Sequence, residues 1–364
     1  MSLAPAGSSR PARGLRAALP GRAALALPAL GVLAAALALA ELVYGPVHLS
    51  PARIWAALRG EGDAAAQAIL MQIRLPRLGL GVAAGAALAL SGAALQGVLR
   101  NPLADPGLIG VTGGAAAAAV AMIVLGGGLV GGLVEAAPWL SAGWALPMAA
   151  FAGASAVTAF VFAAARAQGT TSVATLILAG VAVNAIAFAF IGAMSFISDD
   201  AQLRELTFWN LGGLGGAAPG PILAAGAAAA AAGIGLMRLA RGLDLLQLGE
   251  RAAFHAGLDV ERAKFAAAAW SALAVGAVTA AAGPIGFVGL VGPHLARLLV
   301  GPGHARLLPA AALAGVSLVL GADLVVRTAV PPAEPPIGLA TSLIGGPFFL
   351  WLLVRRQRRG GGDA

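Results

Sequence analysis

The stretch from Arg74 to Gly110 constrains this chain more than any other: RLPRLGLGVAAGAALALSGAALQGVLRNPLADPGLIG. Arg74 and Arg77 frame a proline, and a long run of small and apolar residues follows. Roughly 20 apolar residues cross the hydrocarbon core of a bilayer, and this run is about that long. It stops at Arg100-Asn101-Pro102, and a second apolar run starts at once. Such a segment reads as a membrane span with charge at one end and a tight hairpin at the other.

The rest of the chain follows suit. Of 364 residues, 59% are hydrophobic and only 10% charged, whereas soluble domains carry about 25% charge. So few charges cannot cover a water-facing surface, so the chain is polytopic in the membrane. The 52 glycines suit membrane helices, which pack closely through small residues. Gly81/Gly85, Gly110/Gly114 and Gly212/Gly216 have GxxxG spacing, a weak signal in a chain so rich in Ala and Gly. Cysteine is absent, which excludes disulfides, thiolate nucleophiles and Cys-ligated metals. The formal charge of +8 comes from arginines scattered over short loops, which argues for the bilayer and against nucleic acid as the partner.

Length separates helices from strands where periodicity cannot. Ten helical spans are expected, near 22–44, 78–98, 107–127, 142–165, 174–196, 221–240, 263–282, 285–300, 308–327 and 336–354. The first apolar run follows four arginines but exceeds the 7–15 residues usual for a cleaved signal, so it is expected to stay as a span. With the N-terminus inside, seventeen of the 23 cationic residues fall inside. The six outside are Arg53, Arg59, Arg74, Arg77, Arg204 and Arg327. That bias favours cytoplasmic termini. The expected organisation is a tail over 1–21, a permease domain over 22–355 and a tail over 356–364. Two loops are long enough for structure of their own. Pro46–Ile73 contains Pro51 and Trp55, which suggest a short interfacial helix. Residues 242–262 place leucines and alanines at helical spacing, with Gly249 and Gly257 dividing them into two short helices. A surface helical pair there invites a partner. Gly92–Ala104 loosely echoes Gly283–Arg297, as two inverted repeats would.

Catalytic patterns are missing. No phosphate-binding G-x-x-x-x-G-K-[ST] loop occurs, and the single lysine, Lys264, has no glycine-rich context. If ATP drives this protein, another chain binds it. H-E-x-x-H and G-x-S-x-G are also absent, and His48, His255, His294 and His304 form no ligand pair at helical spacing. A proton-coupled carrier keeps carboxylates within its spans, but Glu41 and Asp323 fall near span ends. Asp323 and Arg327 stand four apart and read as a structural i,i+4 ion pair. These features describe a transporter subunit better than an enzyme.

Three tracts carry a resemblance. RLPR with SGAALQGVLRNPLADPGLIG, GPIGFVGLVGPHLAR (Gly283–Arg297) and ADLVVRTAVPPAEPPIGLATSLIGGPFFLWLL (Ala322–Leu353) resemble the FecCD-type permeases of type II ABC importers for iron-siderophores, heme and cobalamin. The resemblance implies an all-α homodimer with ten helices per subunit and a pathway along the dimer axis. It further implies two P-loop ATPase subunits, which bind ATP and magnesium, below, and a periplasmic binding protein above, in a bacterial inner membrane. The subunit itself would be non-catalytic and hold no cofactor.

Residue by residue, the resemblance makes Arg74, Arg77 and Arg327 external docking points for acidic groups on the binding protein. Leu245–Val260 matches the coupling helices, where Leu246, Leu248, Gly249, Glu250, Arg251, His255 and Gly257 would meet the ATPase, with Leu246 and Leu248 as apolar anchors. Asn101 and Leu103 match one inner gate. The other falls on Thr171 and Ser172 or, one register along, on Val173 and Ala174. For cargo, SFISDDAQLRELTFWNLGGLGG (Ser195–Gly216) resembles the heme-importing branch, with Asp199, Asp200 and Arg204 at the outer mouth or the two Asp as helix N-caps. Heme is therefore the expected cargo, ahead of ferric siderophores and then cobalamin. A secondary carrier is the alternative of a different class.

Overall fold

In hydrocarbon every backbone N–H and C=O must be satisfied within the protein, and a long apolar segment achieves this alone as a helix. The computed structural model describes residues 20–127, 132, 142–167, 169–329 and 334–360. The expected tail over 1–21 lies almost entirely outside them, whereas the last helix runs on to Gly360, inside the expected tail over 356–364. The membrane helices are α1 (Pro20–Val43), α4 (Leu75–Val98), α5 (Val111–Leu125), α6 (Ala142–Ala165), α7 (Val173–Ile197), α9 (Pro219–Arg238), α12 (Val260–Ala282), α13 (Val288–Val300), α14 (His304–Ala329) and α15 (Ile337–Gly360). By length and apolarity seven of these segments can cross a bilayer, and α5, α13 and α15 contribute shorter apolar stretches. Each expected span has its helix.

Shorter elements connect them: α2 (Pro51–Leu58), α3 (Ala64–Ala68), α8 (Asp200–Leu211), α10 (Ala240–Gln247) and α11 (Glu250–His255). Arg166–Ala167 (β1) and Thr170–Thr171 (β2) form a small antiparallel hairpin. The expected interfacial helix is α2, capped by Ser50. The second half of that loop is not a loop. A π-helical turn, Ile69–Arg74, joins α3 to α4 in one helical segment from Ala64 to Val98. The wider turn puts Leu70 and Arg74 inside while Met71 and Ile73 stay exposed.

α4 is the centre of the bundle and packs against α9, α12, α13 and α14. Its glycines set the distances. A Cβ added at Gly92 would stand 1.8 Å from the Gly289 carbonyl oxygen, and one at Gly85 would stand 2.5 Å from that of Gly315. Backbone therefore touches backbone where α4 crosses α13 and α14. The two echoing tracts thus meet face to face at Gly92 and Gly289. Gly81 also lies in this interface, 2.9 Å in the same construction from Leu320. By contrast, Gly212 and Gly216 have φ of 71° and 89° and make the turn from α8 to α9. Their GxxxG spacing marks a turn, not a helix crossing.

Candidate functional sites at the two ends of the bundle

One end of the bundle holds a buried cluster of charge. Arg77 on α4 donates from Nε to Asp323 on α14 at 2.9 Å and from Nη2 at 2.8 Å. Its remaining Nη1 reaches Glu334. Asp323 also meets Arg327 Nε at 3.1 Å, so the expected i,i+4 pair is present. Arg327 continues to Glu41 on α1. Arg74 donates to the Leu42 and Val47 carbonyls. The cluster thus ties α1, α4, α14 and the start of the segment before α15 together.

This corrects the picture of Arg74, Arg77 and Arg327 as exposed charges. They are 4%, 7% and 3% exposed and their donors face acceptors of the same chain. Charged groups survive burial only when paired and hydrogen-bonded, and Glu41, Asp323 and Glu334 provide that. Of these, only Glu334 is substantially open to solvent.

The mouth tract forms the end of α7 and all of α8 at this same end. Asp199 is the α8 N-cap: its Oδ1 accepts the Gln202 N–H at 2.8 Å, and Gln202 returns a bond to the Asp199 backbone. Asp200 and Arg204 are exposed, as are Leu203 and Phe208 on the same helix.

The other end gathers the loop after α4, the β-hairpin and the α10–α11 pair. Asn101 closes its own turn, its Oδ1 accepting the Leu103 N–H at 3.0 Å, and both residues are partly exposed. Asp105 accepts the Gly107 N–H at 2.8 Å, and Asn184 of α7 donates to the Gly107 carbonyl at 2.9 Å. Burial pushes the Asp105 carboxyl above the usual range, and the Gly107 N–H pulls it partway back. Ser172 caps α7 by accepting the Thr175 N–H at 3.2 Å. Thr171 is gripped by Glu261, which accepts its N–H at 3.0 Å and its hydroxyl at 2.7 Å. Val173 and Ala174 already lie in the first turn of α7.

Gly249 and Gly257, with φ of 109° and 86°, bracket α11 as the sequence anticipated. The apolar face of α10 is Ala240, Leu243 and Leu246. Leu246 is 1% exposed and packs into its own subunit, which closes it to a partner. Leu248 at 73% and Phe254 at 69% are the outward apolar groups, with Arg251 and His255 exposed beside them. Phe254 was missed, although FH ahead of Ala256-Gly257 in a charged loop was visible in the sequence.

The other three histidines meet neighbours of their own chain. His304 is buried, with ring Nδ1 2.7 Å from Asp244 Oδ1 and its backbone N–H donated to the same oxygen at 2.9 Å. His48 meets Tyr44 edge-on and His294 meets Phe348 likewise.

A helical membrane bundle whose sequence holds no phosphate-binding loop, with two short turns and exposed Leu248 and Phe254 gathered at one end, has the form of a transporter's permease subunit. The pattern of the FecCD transport family matches residues 33–355. The chain is 43% identical to a hemin transport system permease protein of Yersinia pestis, over 91% of this chain and 96% of that one. It is 41% identical to a cobalamin import system permease protein of Halobacterium salinarum, over 81% and 75%. A vitamin B12 import system permease protein of Escherichia coli is 38% identical, over 88% and 92%. A solved metal-chelate type ABC transporter in an inward-facing conformation superposes with a TM-score of 0.78 at 31% identity, over 90% of this chain and 98% of that one. The chain therefore belongs to the FecCD transport family: it is the multi-pass permease subunit of an ABC importer, and not itself catalytic.

Proposed function

We propose that this permease imports heme. The observation that carries the reading is the 43% identity to the hemin permease, which runs almost end to end through both chains. The mouth helix α8 supports it chemically. With Asp199 spent on capping, Leu203 and Phe208 offer apolar surface for a porphyrin face, and Arg204 offers a cation for a propionate. The walls need not ligate iron, since weak contacts favour passage.

In this reading the Asn101 end faces the cytoplasm, where most cationic loop residues then lie, and both termini are cytoplasmic in a bacterial inner membrane. Two P-loop ATPase subunits, carrying ATP and magnesium, dock on α10–α11 through Leu248 and Phe254. A periplasmic binding protein delivers cargo to the Arg77 end. A second copy of the chain completes the pathway. α7 favours that interface: it is the least buried of the long spans, and its N-cap carries the gate pair Thr171 and Ser172.

The test is reconstitution in liposomes with the cognate ATPase and binding protein. ATP-dependent accumulation of hemin, without cyanocobalamin or a ferric siderophore, is the expected result. Uptake of cobalamin alone would favour the second reading, to which the 41% and 38% identical relatives point. Uptake by the permease without any ATPase would reject the importer mechanism in favour of a secondary carrier.

A further inference from the structure

Lys264 is the only lysine in the chain, and it is 2% exposed. Its ammonium has three N–H groups and three partners. Nζ stands 2.6 Å from Glu261 Oε1, 3.1 Å from Glu250 Oε2 and 2.9 Å from the Thr171 carbonyl. Those partners lie on three separate segments: α12 itself, the first residue of α11, and β2 just before the α7 N-cap. Glu261 completes the grip on the hairpin by accepting the Thr171 N–H and hydroxyl with its other oxygen. Both backbone groups of Thr171 are therefore held by one ion pair at the start of α12. Glu250, the third member, belongs to the short helix that also carries the exposed Phe254 one turn on.

We propose that Lys264 is a positioning residue that couples α11 to the 166–171 hairpin, so that displacement of the docking helices moves the turn that opens α7. This rests on the reading of α10–α11 as the ATPase-docking element. The geometry makes the coupling stiff. An ammonium that is 2% exposed and uses all three donors gives up a charged hydrogen bond if it releases Glu250. The hairpin has little else to hold it, having two residues per strand and exposed residues on either side of Thr171. Thr171 and Glu250, which the sequence assigned to two unrelated roles, are thus one bond apart on either side of a single nitrogen.

The absence of native cysteine makes a labelling test clean. Spin labels would be placed through Thr170→Cys on the hairpin and, separately, Arg251→Cys on α11, both exposed positions. The assembled complex with its ATPase is then compared without nucleotide and with Mg-ATP. In the parent background both labels should change environment together. In Lys264→Met and in Glu250→Ala the α11 label should still respond, while the hairpin response falls by about tenfold, the factor a lost charged hydrogen bond supports. Glu250→Ala removes a half-exposed acceptor and leaves the Lys264–Glu261 pair intact, so it answers the question even if Lys264→Met does not fold. A hairpin label that responds with parental amplitude in Glu250→Ala would overturn the proposal. A silent α11 label in the parent complex would overturn the docking assignment, and the coupling with it.

Discussion

Charge balance in the Arg77 cluster makes a prediction of unusual form: removing a second residue should repair the damage done by removing the first. Arg77→Met keeps the length of the stem and deletes the guanidinium. Asp323, 1% exposed, then loses its contacts at 2.9 Å and 2.8 Å and keeps only Arg327. Arg327 must also serve Glu41, itself 2% exposed, so two buried carboxylates share one directly paired cation. Glu334 is 40% exposed and simply returns to water. Breaking a buried pair by removing one partner costs about 3–5 kcal/mol, and that is the expected loss for Arg77→Met. Arg77→Met with Asp323→Leu leaves Arg327–Glu41 as the direct ion pair, with Arg74 still held by the Leu42 and Val47 carbonyls. Replacing a whole buried pair with apolar groups is close to neutral, so the double variant should recover about 2 kcal/mol or more. Reversible unfolding in mixed detergent–SDS micelles measures all three chains. A double variant less stable than either single one would refute the argument and show that the cluster is held by shape or by water, not by charge balance. The same experiment bears on docking. Charge reversal at Arg74 and Arg77 would abolish uptake through misfolding alone, whereas a stable double variant that still fails to bind its delivery protein would isolate a docking role.

Two further expectations follow from packing. Gly92→Val should destabilise by at least about 1–3 kcal/mol, the range for overpacking, because its Cβ would enter the Gly289 carbonyl, while Gly346→Ala, with nothing within 4 Å, should leave unfolding unchanged in the same assay. At the docking loop, Leu248→Asp and Phe254→Asp should weaken ATPase association about tenfold or more in a pull-down from detergent, as truncation of an interface anchor does, with no change in unfolding. Leu246→Asp, buried at 1%, should instead unfold the permease; equal behaviour at 246 and 248 would show that the loop repacks on docking.

The spans were legible because a bilayer imposes a length on apolar sequence, and Gly249 and Gly257 were legible because a short helix needs a stop at each end. The position of the arginines was not. Sequence counts place Arg77 and Arg327 on one side of a membrane but cannot say whether they face water. Apart from the Asp323–Arg327 pair, their partners lie 246 and 286 residues away, with no pattern to link them. Lys264 hid for the same reason: near the start of α12 it resembles any interfacial cation. Leu246 is a different case. Its spacing of three from Leu243 already marked the inner face of α10, and Leu248, two further on, had to lie elsewhere. The extension of α4 back to Ala64 was hidden by Gln67 and Gln72, and by a π turn that helical periodicity does not describe.

The backbone contacts at Gly85 and Gly92 carry one more consequence. Where two main chains touch with no side chain between them, neither helix can slide or roll without collision. α4, pinned this way to both α13 and α14, is a stator. Any stroke that opens a path through this protein is then expected from elements outside that contact. The glycines that look like the softest part of the sequence set the closest helix crossings of the bundle.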